Sequence, residues 1–171
     1  MGEYPRITAD LNKIRHNLNA LIALCSEYGV SIAAVGKVVC ADEKIIRVFE
    51  ESGVSMLADA RLENLEKITT KKPKLLLRAP SPDEAEETVR LSDISLVSEI
   101  DTIRALGQAA ELQEKRYSII LMIDLGDLRE GLLFTEREEI LRTAKAAAEE
   151  PWIELLGIGT YLTCYGAIIP D

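Results

Sequence analysis

The chain is poor in the residues that most often declare a chemistry. It has 3 cysteines in 171 residues, Cys25, Cys40 and Cys164. An odd number cannot all pair, and none has a partner at metal-ligand spacing, so they read as reduced thiols of a cytoplasmic protein. There is 1 histidine, His16. One imidazole cannot build a metal cluster, and no serine or cysteine beside it suggests a triad, so His16 reads as structural. Positive charge is scarce as well: 20 lysines and arginines stand against 29 acids, a formal net charge of -9. Nucleic acid and anionic membranes both call for a basic face, so neither is expected as a partner. A few local cations can still hold a small anionic ligand. The apolar runs fall short of a membrane-spanning helix. The opening MGEYPRITADL lacks a basic segment followed by an apolar one, so no signal peptide is read there. No linker or low-complexity tract marks a second domain.

What the chain does have is apolar material, 47% of residues, laid out in a regular alternation. Asp10 can cap a helix whose stripe is Ile14, Leu18, Leu21 and Cys25. A turn at Gly29 leads to the strand SIAAVGKVV, then the helix DEKIIRVFEES with Gly53 as its C-cap. The strand SMLAD, the helical LENLEKI and the strand KLLLRA follow. Ser81, Pro82 and Glu84 open the next helix with three agreeing signals: a capping serine, proline at the first position and a glutamate three residues on. ISLVS is the fourth strand, and Ser98 with Asp101 opens the helix after it. SIILMIDL is the fifth strand, Thr135 with Glu138 caps EEILRTAKAAAEE, and IELLGIGTYL is the sixth.

These strands are apolar runs rather than polar/apolar alternations, the pattern of strands covered on both faces in a parallel sheet. An open doubly wound sheet and a (β/α)8 barrel both satisfy it. A doubly wound nucleotide binder carries a glycine-rich turn after its first strand, and KVVCAD has none. The expected fold is therefore α/β, a partial (β/α)8 TIM-type barrel with about six of its eight parallel strands present.

Three stretches could carry chemistry. In AAVGKVVC a single lysine, Lys37, interrupts an apolar strand. It either extends its ammonium to water from the strand end, or points into the barrel mouth, where apolar surroundings would favour the neutral amine that condenses with an aldehyde. In residues 122–132, MIDLGDLREGL, a strand runs into a loop with Asp124, Asp127, Arg129 and Glu130. This is either a solvated turn with local ion pairs, or a way of placing Arg129 at the same end of the barrel as Lys37. In GIGTYLTCYG two glycines within a strand allow a close approach, and Tyr161 is either a core or rim aromatic or part of a site.

Five segments in order, YPRITADLNKIRHNL, VGKVVCADEKI, ADARLENL, ILMIDLGDLREGL and GIGTYLTCYGAIIPD, together resemble the alanine racemase-like, fold-type III pyridoxal phosphate enzymes, most nearly the ornithine racemase branch. The resemblance implies pyridoxal 5'-phosphate as cofactor and an amino acid, ornithine or another basic one, as substrate. It implies that Lys37 is the Schiff-base lysine and one acid/base at the substrate Cα. Arg129 would lie near the cofactor's phenolic oxygen, and Tyr161 against the face of its pyridine ring. Alanine-specific relatives have a tyrosine where this chain has Ala41, and can have a modified lysine where it has Met122. Both departures favour the ornithine-type branch, although relatives there tend to have asparagine in place of Tyr161. On this reading residues 1–171 are the N-terminal part of the barrel. The last strands, which cup the cofactor phosphate, and a C-terminal β-domain contributing a second acid/base across a homodimer interface lie outside the chain. Two alternatives stay open: a non-catalytic pyridoxal phosphate carrier, or an inactive partial barrel.

Overall fold

A computed structural model of the chain describes residues 7–162. Asp10 caps the first helix, α1 (Leu11–Ser26), as its charge and position require: Oδ1 accepts from the amides of Asn12 and Lys13. The helix ends in a Schellman closure, with the Val30 amide bonded to Cys25 O and that of Gly29 to Ser26 O. Gly29 sits at φ +68, which spares the chain a Cβ in the left-handed region. Then follow β1 (Ala33–Val35), α2 (Glu43–Glu50), β2 (Met56–Asp59), α3 (Leu62–Lys67) and β3 (Lys74–Leu76). The second half runs α4 (Ala85–Leu91), β4 (Ile94–Val97), α5 (Ile100–Leu112), β5 (Tyr117–Asp124), β6 (Leu132–Leu133), α6 (Arg137–Glu149) and β7 (Ile153–Gly159).

Every strand pair is parallel. The order is β1-β2-β3-β4-β5, with β7 beside β5 and the two-residue β6 paired to Ile123 and Asp124 at the end of β5. Strand order thus follows chain order with no reversal. A doubly wound sheet reverses its order at a switch point, so this is an arc of barrel wall. Successive strand residues feed two different apolar layers. Leu57, Leu76, Val97 and Ile119 face the helices, where they meet Ile46, Leu65, Val89 and Ile103. Their neighbours Ala58, Leu75, Leu96 and Ile120 join Val35, Leu77, Met122 and Tyr161 on the concave side. Two-sided burial is why β2 to β5 read as unbroken apolar runs, whereas β7, expected to be covered in the same way, is mostly exposed among residues 7–162, where it pairs only with β5. Among the described residues no helix is long and apolar enough to cross a membrane.

The capping box at Ser81 forms as expected, with a 3-10 turn at Pro82–Glu84 preceding α4. Three other terminus signals misread the structure. The residues before α5 and α6 are Glu99 and Glu136, and neither helix has a side-chain cap, so Ser98 and Thr135 do not serve. α2 closes at Glu51, whose amide bonds Arg47 O and Phe49 O, two residues short of Gly53. The strand β6 was not foreseen, because two residues hold no periodicity.

Candidate active site at the C-terminal ends of the strands

β1 stops at Val35, sooner than its sequence suggests. The Gly36 amide still bonds Ala58 O across to β2, and the chain then winds into a 3-10 turn, Lys37–Val39. Gly36 O accepts from Val39 and Ala41, while Cys40 and Ala41 adopt φ values of 51 and 56. Lys37 is therefore a rim residue at the C-terminal end of the first strand, and it is exposed. The apolar enclosure expected to favour its neutral amine is not built by residues 7–162, because the turn lifts the lysine off the sheet. The amine makes no hydrogen bond or ion pair among the described residues.

The loop after β5 is pinned at both ends. The Asp124 carboxylate turns back on its own loop, with Oδ1 accepting from Gly126 at 2.8 Å and Leu128 at 3.2 Å. At the far end Gly131, at φ +124, lies so close to β5 that a Cβ there would be 2.7 Å from Asp124 N. Between these anchors stand Arg129 and Glu130. The Arg129 guanidinium lies over the Tyr161 ring, 4.3 Å from its centroid. At an exposed position such a contact contributes about 0.5–1 kcal/mol.

Tyr161 leaves the end of β7 and crosses the concave face to β3, where its hydroxyl donates to Leu77 O at 3.5 Å. Burial pushes the phenol up to about 12; the Glu130 carboxylate adds to the shift and the Arg129 guanidinium opposes it. At neutral pH Tyr161 is a hydrogen-bond donor and a flat platform, not a base. The glycines before it answer to packing: a Cβ at Gly159 would lie 2.9 Å from Ile120 Cγ2 and 3.0 Å from Met122 Sδ.

Two further groups at this end were not singled out in the sequence. Arg78, just past β3, donates from Nε to Ala60 O and from Nη1 to Ala79 O, and grips Glu84 with both terminal nitrogens at 2.9 and 2.6 Å. That fork and the Ser81 amide hold the Glu84 carboxyl down at about 2. A cation closing a barrel strand is a signal that KLLLRA carried. Asp59, at the end of β2, is fully buried; Oδ1 accepts from the Arg61 amide and Asn64 Nδ2, while Oδ2 has no partner.

The structure thus brings Arg129 and Tyr161 into contact and leaves Lys37 on the rim. In kind, these side chains could suit pyridoxal phosphate: a lysine amine that could meet its aldehyde, and a guanidinium stacked on a flat ring. His16 is exposed on α1, and among the described residues no cluster of histidine, cysteine and acid side chains could hold a metal. Cys25 and Cys40 are free thiols, and Cys164 lies outside the described residues.

Comparison with known proteins agrees with this architecture. The alanine racemase N-terminal domain family matches residues 9–169. The chain is 44% identical to ornithine racemase of Acetoanaerobium sticklandii over 168 residues, which is 98% of this chain and 47% of that protein. It is 32% identical to lysine racemase of Thermotoga maritima, over 98% of this chain and 46% of that one. Among solved structures, alanine racemase from Streptomyces lavendulae superposes with a TM-score of 0.73 at 24% identity, over 91% of this chain and 42% of that one. The chain spans about half the length of the curated relatives it matches. It belongs to the alanine racemase N-terminal domain family.

Proposed function

We propose that the chain is the cofactor-bearing barrel portion of a pyridoxal phosphate-dependent amino-acid racemase, acting in the cytoplasm on ornithine or another basic amino acid. The observation that carries this reading is the 44% identity to ornithine racemase along 98% of the chain. The gathering of Arg129 and Tyr161 at the strand ends, on the rim that also bears Lys37, supports it. The remaining barrel strands and a C-terminal β-domain then belong to the rest of the protein, and the active unit is a homodimer.

Bound pyridoxal phosphate withdraws electrons from the substrate Cα, so that its proton can leave. Lys37 supplies the amine that anchors the cofactor's aldehyde carbon, and its nitrogen takes or returns the Cα proton on one face. Arg129 offers a cation to the phenolic oxygen, and its stacking on Tyr161 sets the guanidinium plane. Tyr161, with a phenol at about 12, keeps its proton and orients rather than abstracts. The opposite face of Cα therefore needs an acid/base other than Lys37 or Tyr161, which the β-domain of the second subunit would provide.

The test is to add pyridoxal phosphate, reduce with borohydride and map the mass adduct. It is expected on Lys37 and absent in Lys37→Ala, whose stability should change by less than about 0.5 kcal/mol because the side chain is exposed. An adduct elsewhere, or none, overturns the assignment. In the intact protein, formation of D-amino acid from L-ornithine, lysine, arginine or alanine supports the racemase. Cofactor uptake with no turnover of any of them favours the carrier.

A further inference from the structure

Gly36 stands at the cap position of the turn that carries Lys37, and it has no side chain with which to cap it. The leading amides of that turn, Lys37 and Val38, donate to no group among the described residues. Its far end is strained, because Cys40 and Ala41 hold φ values of 51 and 56. Gly36 itself lies at φ -87 and ψ -7, a backbone within reach of any L-residue. Beside the place its side chain would take stands an oxygen from the neighbouring strand. A Cβ on Gly36 would lie 3.4 Å from Asp59 Oδ2 and 3.1 Å from Ile46 Cδ1.

Asp59 is wholly enclosed, and its two oxygens are used unequally. Oδ1 takes both local donors, the Arg61 amide at 3.0 Å and Asn64 Nδ2 at 3.1 Å, while Oδ2 takes none. Asp10 and Asp42 show what capping by itself requires. Each accepts two amides with one oxygen, and each is exposed, so solvent takes the other. An enclosed carboxylate oxygen left over is costly and calls for a use. The backbone fixes it beside the turn, since Ala58 O accepts from Gly36 at 2.8 Å and Asp59 O from Leu77 at 2.9 Å. We propose that Asp59 is a positioning residue for Lys37, its free oxygen serving from β2 as the cap that Gly36 lacks. The carboxylate steadies the leading amides of the turn, and so fixes the height and direction in which Lys37 leaves β1. The consequence for the cofactor rests on the function proposed above; the hold on the turn does not.

The experiment follows amide hydrogen exchange in the nitrogen-15-labelled chain, without cofactor. Val39 and Ala41 both donate to Gly36 O, so their amides report the opening of the turn. Asp59→Asn keeps the shape and an oxygen for Arg61 and Asn64, and removes the charge and the acceptor that face Gly36. Exchange at Val39 and Ala41 should quicken about tenfold relative to the amides of β4 and β5. Parental exchange there in folded Asp59→Asn, verified by circular dichroism, overturns the proposal. Gly36→Ala gives a second reading, and decides alone should Asp59→Asn not fold. Alanine ordinarily steadies a backbone it can adopt, but here its methyl would fill the space through which Oδ2 faces the turn. Faster exchange in Gly36→Ala supports the hold, and parental or slower exchange refutes it. In a further arm, the rate of Lys37 adduct formation at saturating pyridoxal phosphate should fall several-fold in Asp59→Asn, at an unchanged half-saturating concentration. A raised half-saturating concentration with the rate intact would make Asp59 a cofactor contact and overturn the positioning role. A parent that takes up no cofactor overturns the functional reading, while the exchange rates still decide the role of Asp59.

Discussion

At Gly131 the loop that carries Arg129 folds back on β5, and a methyl group there would have nowhere to go. Its carbon would lie 2.7 Å from Asp124 N, 2.8 Å from Ile123 C and 2.9 Å from Met122 O. All three are backbone atoms, so no rotamer change relieves the clash. The residue also sits at φ +124, outside the range that side chains favour. The left-handed backbone alone costs an L-residue about 1–2 kcal/mol, and forcing atoms into filled space adds about 1–3 kcal/mol. Gly131→Ala should therefore lose about 2–5 kcal/mol. Gly29→Ala is the natural control, since at φ +68 it meets nothing within 4 Å and should show only the backbone part. Urea unfolding of the two variants side by side reads the difference, with the midpoint shifting and the slope preserved. Gly131→Ala should also reduce the Lys37 adduct, because the clash displaces Arg129, whereas Gly29→Ala should not. Equal losses of stability in the two variants would refute the reasoning, since the contacts with β5 would then cost nothing.

Acid should find the Arg78–Glu84 pair. The Glu84 carboxyl is depressed from 4.5 to about 2, so its contribution is present above about 4.5 and lost as the pH falls towards 2. Glu84→Gln should flatten that part of an acid titration followed by circular dichroism, and coincident curves for parent and variant would exclude the pair as the cause. On β7, Leu156 and Ile158 are 50% and 74% exposed, on a strand that among the described residues pairs only with β5 along one edge. The 171-residue chain should associate through this edge at high concentration, and Ile158→Lys should shift it towards monomer in light scattering. A parent that is monodisperse and monomeric would contradict this.

The site was partly legible before any coordinates. Lys37 stood out as a lysine interrupting an apolar strand, Arg129 as a cation in the charged loop after one, and Tyr161 as an aromatic following two glycines within a strand. That the latter two touch could not be read, since they lie far apart in the chain and meet only through the β5–β7 pairing and the Gly131 closure. The exposure of Lys37 was one of two readings the sequence left open. Its surroundings read as a longer strand, yet the Gly36 amide makes the last bond to β2 before the chain winds into a turn. Arg78 looked like an ordinary charge, because what distinguishes it is its partner, Glu84.

Local periodicity and capping chemistry act over a few residues, so the chain by itself determined its alternation of strands and helices, the two-sided burial of β2 to β5, and the caps at Asp10 and Ser81. Which strand ends face one another across the mouth depends on sheet order and curvature, which no short window of sequence contains. The tertiary structure alone therefore decided that one ring from β7 lies under a guanidinium from β5 and reaches a carbonyl beyond β3.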